Sequence, residues 1–169
     1  GYAQPEPGLT FCLPCLPGRY GNDEDIRDSC FACPTGWFSA ATNQTQCTKC
    51  PRGRKAGVGS TSCSSCLPGE FVGRRDTCEK CPSGYFSQDT EISSCQKCDT
   101  GRGTVQNGST FCSICAKGKK SAPEGVCQEC EVDTYQAFEQ QSTCLACDQA
   151  RYTRNTTGNA KCDIIPVDE

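Results

Sequence analysis

The sequence predicts a small disulfide-rich fold. We expect an elongated, solenoid-like rod of about nine tandem 15–18-residue CxxC repeats, made of short irregular β-hairpins with little or no helix. Two observations predict this fold. Nineteen of the 169 residues are cysteine, a density typical of chains held together by disulfides. The cysteines form nine CxxC pairs with successive first cysteines 15 to 18 residues apart, and a short fixed period indicates a repeat array.

The composition explains why an ordinary apolar core is not expected. Hydrophobic residues make up 35% of the chain, and that share includes the cysteines. A chain of this length normally buries most of its surface around one core. Because apolar side chains are too few here, cross-links are expected to supply the missing stability.

Two further positions keep the register of the cysteines. The third residue after each CxxC pair is usually glycine, which predicts a tight turn. The fifth is usually aromatic and gives the unit its one large apolar face. A polar tail leads to the next pair, so each unit is predicted to be a hairpin that is stable only when stacked. The column glycines are Gly18, Gly36, Gly53, Gly69, Gly84, Gly101 and Gly118; the column aromatics are Tyr20, Phe38, Phe71, Phe86, Tyr135 and Tyr152.

The spacing favours sequential pairing, in which the second cysteine of each CxxC bonds the first cysteine of the next. Every loop then holds one complete unit, and Cys162 closes the last loop. Cys12 is left for a cysteine upstream of Gly1. Crossed four-cysteine modules and bridges within each CxxC remain alternatives, because a cysteine count does not fix connectivity. The favoured bridges are Cys15–Cys30, Cys33–Cys47, Cys50–Cys63, Cys66–Cys78, Cys81–Cys95, Cys98–Cys112, Cys115–Cys127, Cys130–Cys144 and Cys147–Cys162.

This pairing divides the chain into three segments. Residues 1–12 are predicted to be the tail of a truncated upstream repeat, 12–162 the tandem repeats, and 163–169 the start of a linker or further domain. The sequence contains no methionine, which favours a processed or internal piece of a larger protein.

The residue types exclude several kinds of function. No histidine occurs, so neither a Ser-His-Asp triad nor a histidine metal ligand is possible within the chain. The net charge of −3 does not favour nucleic acid as a partner. No apolar run approaches the roughly 20 residues that span a bilayer. We therefore expect no catalytic residues, no enzyme activity, no nucleic-acid partner and no membrane insertion by this segment.

The CxxC pairs have two other interpretations. Tandem pairs can bind zinc through four thiolates, and a CxxC at a helix start can be a redox centre. Nineteen cysteines would fill four zinc sites with three left over, and nine equivalent copies favour structure over catalysis. We therefore expect disulfides, with no metal and no cofactor other than N-linked glycans.

Three asparagines match the acceptor pattern for N-glycosylation, Asn43, Asn107 and Asn155. Each lies in a polar tail shortly before a cysteine, where an exposed turn is expected. We predict glycosylation at one or more of them in a secreted protein. The alternative is a bare turn asparagine.

Other polar and aromatic features can be interpreted either as functional or as part of an ordinary protein surface. The acidic run at 22–28 could bind calcium but lacks the spacing of a known loop, so a solvated tip is favoured. Trp37 either contacts a partner or covers the Cys33 bridge. Basic clusters that could bind anionic glycans, but are more typical of solvated surface, lie at 52–55, 74–75 and 117–120.

The register resembles the ephrin-receptor-like cysteine-rich repeats of extracellular proteins. The resemblance rests on segments such as 59–71, GSTSCSSCLPGEF, and extends from Cys12 to Cys162. Tumour-necrosis-factor-receptor modules look similar across the first loop but carry C-x-x-C-x-x-C, which does not occur here. The resemblance implies a non-catalytic, multi-domain extracellular protein in which such arrays act as spacers, adhesive stalks or filament components.

These expectations lead to one function and one alternative. The chain is predicted to be a structural or spacer segment of a larger secreted or cell-surface glycoprotein. Its rod would build a filament, stalk or surface appendage, with protein partners that include copies of itself. The alternative is a ligand-binding or adhesive cysteine-rich receptor ectodomain. Self-association distinguishes them, because a receptor fragment should stay monomeric until its ligand is added.

Overall fold

The computed structural model describes residues 1–4, 11–21, 29–148 and 151–164. In these ranges twenty strands of two or three residues pair as ten two-stranded sheets, and no helix occurs. The predicted small disulfide-rich fold of short hairpins is therefore confirmed. The acidic run at 22–28 lies wholly outside the described residues.

The second strand of the first nine hairpins lies in or around a CxxC pair, that of the tenth follows Cys162, and the first strand, from β3 onward, follows the turn glycine or its equivalent. The hairpins are β1 (Tyr2–Ala3) with β2 (Leu13–Pro14), β3 (Arg19–Tyr20) with β4 (Phe31–Ala32), β5 (Trp37–Phe38) with β6 (Thr48–Lys49), β7 (Arg54–Lys55) with β8 (Ser64–Ser65), β9 (Glu70–Val72) with β10 (Cys78–Lys80), β11 (Tyr85–Phe86) with β12 (Gln96–Lys97), β13 (Arg102–Gly103) with β14 (Ser113–Ile114), β15 (Lys119–Ser121) with β16 (Cys127–Glu129), β17 (Thr134–Tyr135) with β18 (Leu145–Ala146), and β19 (Arg151–Tyr152) with β20 (Asp163–Ile164).

Nine disulfides join the cysteines, each linking the second cysteine of one CxxC with the first of the next. The linked residues are 12 to 15 positions apart in sequence. Cys12 is free and exposed in the described part of the chain. Each bridge encloses one repeat: repeat 1 is closed by Cys15–Cys30, 2 by Cys33–Cys47, 3 by Cys50–Cys63, 4 by Cys66–Cys78, 5 by Cys81–Cys95, 6 by Cys98–Cys112, 7 by Cys115–Cys127, 8 by Cys130–Cys144 and 9 by Cys147–Cys162.

The first hairpin follows the same plan as the later ones. Its strands pair Tyr2 with Pro14, and the Gly1 carbonyl accepts a 2.9 Å hydrogen bond from the Cys15 N–H. The Gly18 carbonyl accepts the equivalent bond from the Cys33 N–H, also at 2.9 Å. Gly1 thus takes the place that the column glycines hold in later hairpins.

The chain consists of two units. The first comprises 1–79 and 89–94, and the second comprises 80–88 and 95–169. The first therefore holds repeats 1 to 4 with the tail of repeat 5, and the second holds the remaining repeats. No helix suited to crossing a membrane occurs in the ranges that the structure describes.

The buried interior consists mainly of sulfur. Five second cysteines form the largest fully buried side chains in the described residues, and the other buried apolar residues are further cysteines and three alanines. All six column aromatics are only half-buried. One of them, Tyr20, packs against Phe31 with ring centroids 5.8 Å apart. The disulfides therefore occupy the place of a core, and the aromatic rings cover its flanks.

Candidate functional site

Repeats 1 to 7 each begin with a tight turn that requires its glycine. In repeat 1 the Arg19 N–H donates to the Leu16 carbonyl at 3.1 Å, which closes a turn over Pro17 and Gly18. The φ of Gly18 is 82°, and all seven column glycines have φ between 77° and 85°. A proline followed by a residue with positive φ is the arrangement of a type II turn. The column glycine is therefore fixed by backbone conformation.

Steric overlap also excludes any residue larger than glycine at this position. A Cβ atom on Gly18 would overlap the carbonyl oxygen of Gly59, and one on Gly118 would overlap that of Gly158. In both cases the obstructing carbonyl belongs to the tail two repeats further along. Within a unit, the turn of one repeat therefore packs against the tail of the second repeat after it.

Repeat 8 replaces the column glycine with Asp133. Its φ is 59°, a left-handed conformation that aspartate tolerates better than most residues. The Asp133 N–H donates to Oγ1 of Thr153 at 2.8 Å, and the Thr153 N–H donates to Oδ1 of Asp133 at 3.2 Å. The substitution thus adds a side-chain contact with repeat 9.

A third column, not predicted from the sequence, is the sixth residue after each CxxC pair, which we call the inner column. Every member except Val72 is buried. Seven of the nine are glycine, alanine, serine or threonine, and this bias towards small residues was the available signal. The inner column is Gly21, Ser39, Ala56, Val72, Ser87, Thr104, Ser121, Gln136 and Thr153.

Residues of the inner column accept a hydrogen bond from the N–H of the turn residue in the preceding repeat. In three repeats the acceptor is a hydroxyl, and in three others it is the backbone carbonyl. The hydroxyl bonds are Gly84 N–H to Thr104 Oγ1 (2.6 Å), Gly101 N–H to Ser121 Oγ (2.7 Å) and Asp133 N–H to Thr153 Oγ1. The carbonyl bonds, all at 2.8 Å, are Gly18 N–H to Ser39, Gly36 N–H to Ala56 and Gly118 N–H to Gln136.

The inner column also donates to the following repeat, at 3.0 to 3.1 Å in most cases. Seven of the nine inner N–H groups bond a carbonyl in the next tail, so turn, inner column and tail form a recurring ladder within each unit. The bonds are Gly21 to Gln44, Ser39 to Ser60, Val72 to Ile92, Ser87 to Ser109, Thr104 to Gly125, Ser121 to Gln141 and Gln136 to Asn159.

Seven of the nine tails are of two kinds. In repeats 2, 3, 6, 8 and 9 a tail N–H donates to the carbonyl of the buried cysteine that opens the preceding repeat. We call these docked tails. The bonds run from Asn43 to Cys15, Gly59 to Cys33, Gly108 to Cys81, Gln140 to Cys115 and Gly158 to Cys130, at 2.7 to 2.9 Å.

In repeats 4 and 7 the tail closes on its own hairpin instead. The Ala122 N–H donates to Val126 at 2.8 Å and the Gly125 N–H to Ala122 at 2.9 Å. Gly73 and Asp76 make the same pair of contacts in repeat 4. These self-closed repeats have the shortest separation of linked cysteines, 12 residues.

The three predicted glycosylation sites all lie in docked tails and are exposed. Nδ2 of Asn43 donates to Oη of Tyr2 at 2.9 Å. Oδ1 of Asn107 accepts from the N–H of Ser83 at 3.0 Å. Asn155 has a φ of 57° in an exposed turn. Glycosylation at these positions remains a prediction.

One cluster has the composition of a metal site. A ligand atom of Cys66, Glu70 and Cys78 lies within 4.8 Å of each of the others. The two sulfurs are bonded to each other, and the Glu70 carboxylate accepts the Leu67 N–H at 3.3 Å. Because zinc requires thiolates, this group cannot act as a zinc site while its disulfide is intact.

The basic clusters are partly neutralised by nearby acids. Arg54 pairs with Glu91, and Lys119 lies 3.8 Å from Glu129. Arg74 and Arg75 are exposed in the turn of repeat 4. The Trp37 residue is 38% exposed, so a partner can contact it.

These features define the class of the protein. Nine structural disulfides persist only in an oxidising environment, and recurring units bonded to their neighbours form a repeat array. The chain is therefore a disulfide-bonded extracellular repeat module. Residues 118–163 match the family model described as tyrosine-protein kinase ephrin type A/B receptor-like. Together with the repeating pattern of nine disulfides, this match supports ephrin-receptor-like cysteine-rich repeats, a type of extracellular module. Comparison with curated proteins gave no match.

Proposed function

We propose that the chain is a non-enzymatic spacer segment of a larger secreted or cell-surface glycoprotein. Its repeats would extend as a disulfide-bonded rod that builds a filament, stalk or surface appendage. The observation that supports this proposal is the recurring ladder of turn, inner column and tail. Each repeat is closed covalently, and hydrogen bonds join most repeats to the next one within a unit, so the number of repeats would set the length.

The burial pattern supports a mechanical role. The described interior consists mainly of sulfur, small side chains and backbone. The sequence has no histidine, and eighteen of its nineteen cysteines are bridged. These features support the absence of enzyme activity, and the net charge of −3 supports a protein partner over nucleic acid.

Small-angle X-ray scattering tests the proposed rod. Nine repeats with about 10 Å of rise each should give a maximum dimension on the order of 90 Å. A compact domain of this length would have a radius of gyration of about 15 Å. A radius near that value would contradict the spacer function.

Sedimentation analysis tests the proposed partner. A filament or stalk component should self-associate as its concentration rises, because copies of the chain are among its partners. A species that stays monomeric and binds an added extracellular protein would instead support the receptor-ectodomain alternative.

A further inference from the structure

A groove of about 500 Å³ lies at repeat 6, within the second unit. Val105, Phe111 and Ile114 line it and are 77%, 62% and 44% exposed. Its volume falls in the range of small-ligand pockets, roughly 300–1,000 Å³. Exposed apolar residues gathered in a concave site indicate a binding partner.

The groove is built into the fold of repeats 6 and 7. Gly103 lines it at the position where six repeats carry an aromatic ring, and it pairs with Ser113. A Cβ atom on Gly103 would lie 2.7 Å from the backbone nitrogen of Cys127. Because no larger residue fits there, no ring of this column fills the groove.

Asn107 also lines the groove, and its side chain is held in place. Oδ1 accepts hydrogen bonds from the Ser83 N–H at 3.0 Å and from the Ser83 hydroxyl at 3.2 Å. The next residue, Gly108, donates its N–H to the Cys81 carbonyl at 2.7 Å. These contacts fix the amide through its oxygen and leave Nδ2, the nitrogen that carries an N-glycan, outside both bonds.

We propose that this groove seats the first sugar of an N-linked glycan on Asn107, with the apolar face of the sugar and its acetyl methyl packed on Phe111 and Ile114. The inference rests on the proposed secreted glycoprotein. In the attachment, Nδ2 bonds C1 of an oligosaccharide carried by a lipid pyrophosphate. The bond between C1 and the phosphate oxygen breaks, the pyrophosphate keeps the electron pair, and the amide loses one proton to solvent.

The other two acceptor sites differ from Asn107. Nδ2 of Asn43 already donates to Tyr2 Oη. Asn155 follows Arg154 in an exposed turn closed by the Thr156 N–H to the Thr153 carbonyl at 3.0 Å, and both central residues have positive φ. A glycan on Asn155 extends into solvent from the turn, which makes that site a matched control.

The test uses the chain secreted from a host that adds N-glycans. Ser109→Ala removes the Asn107 glycan while keeping the asparagine, and Thr157→Ala does the same for Asn155. Each is combined with Phe111→Ala, a substitution at an exposed position. Thermal unfolding is measured for all variants, glycopeptides are mapped, and nuclear Overhauser contacts are recorded between the first sugar and the Phe111 ring.

We expect Ser109→Ala to lower the unfolding temperature by about 2–4 °C in the parent chain and to have little effect when Phe111 is alanine. Thr157→Ala should act equally in both backgrounds. An occupied Asn107 without contacts to the Phe111 ring overturns the inference. The inference is also overturned if Asn107 carries no glycan while Asn43 or Asn155 does. That outcome leaves the proposed function intact. Free thiols with all three asparagines bare would overturn both.

Discussion

Repeats 7 and 8 are neighbours in one unit, yet their tails are held in different ways. Repeat 7 joins cysteines 12 residues apart, has three-residue strands, and closes its own turn at Gly125. Repeat 8 joins cysteines 14 residues apart, has two-residue strands, and docks Gln140 on the Cys115 carbonyl of repeat 7. Between these two repeats, two extra residues of tail accompany the change from a self-closed turn to a docked tail.

The largest expected effect comes from removing the bridges of these two repeats. Each bridge contributes about 3 kcal/mol through loop-closure entropy, so amides in the opened repeat should exchange about 100-fold faster. After Cys130→Ser/Cys144→Ser, the faster amide exchange should extend to Ser121, because the carbonyl that accepts the Ser121 N–H lies in the repeat 8 tail. After Cys115→Ser/Cys127→Ser, the self-closed turn should keep part of its protection. If hydrogen exchange became faster equally far from both opened bridges, the distinction between docked and self-closed tails would be contradicted.

Glycine substitutions distinguish the contribution of the turn to stability from that of the docked tail. Gly118→Ala combines left-handed strain with overlap of the Gly158 carbonyl, and should cost about 2–4 kcal/mol. Gly158→Ala should cost only about 1 kcal/mol, because its Cβ meets the flexible Glu129 side chain at 3.2 Å. Gly57→Ala is the control, since its nearest neighbour is Ser60 Oγ at 3.7 Å. Denaturant unfolding that ranks these variants differently would contradict the packing described.

The inner column offers a comparison of hydroxyl and carbonyl acceptors. Thr104→Val leaves the buried Gly84 N–H without its acceptor and should cost about 1–3 kcal/mol. Ser39→Ala keeps the carbonyl that accepts the Gly18 N–H and should cost less than about 1 kcal/mol. The exchange rate of the Gly84 amide is the direct readout. Equal losses of stability in the two variants would show that the hydroxyl is not the essential acceptor.

The smallest expected effect concerns the ion pair of Arg54 with Glu91, which joins repeat 3 to the tail of repeat 5. Both side chains are about half exposed, so their coupling should be about 0.2–1 kcal/mol and should fall with added salt. A double-mutant cycle of Arg54→Ala and Glu91→Ala measures it. Coupling above 2 kcal/mol, unaffected by salt, would mean that side chains rather than backbone bonds hold this tail.

Much of the fold follows from the sequence because cysteine and glycine have few structural roles. Glycine at a fixed distance from a cysteine predicts a turn, and the Gly18 turn has that form. The self-closed turn of repeat 7 also had a signal, since Pro123 and Gly125 suit a three-residue hairpin loop ending in a left-handed residue.

The inner column was harder to find because its function depends mainly on the backbone. Ser39, Ala56 and Gln136 differ in side chain but accept the turn N–H through the same carbonyl. Sulfur fills the interior and leaves Phe38 and its equivalents half-buried at its flanks. The groove at Asn107 depends on the close approach of repeat 7 to Gly103, which spacing along the chain does not encode.

The sulfur-rich interior has a thermodynamic consequence. Unfolding an ordinary domain raises the heat capacity by about 12–15 cal/mol/K per residue, because apolar surface becomes hydrated. A chain whose buried side chains are disulfides, alanines and small polar groups exposes little such surface. Its free energy of unfolding should therefore change slowly with temperature, and cooling should not weaken it as it weakens apolar cores. The oxidising power of the surroundings, more than heat or cold, governs whether this chain stays folded.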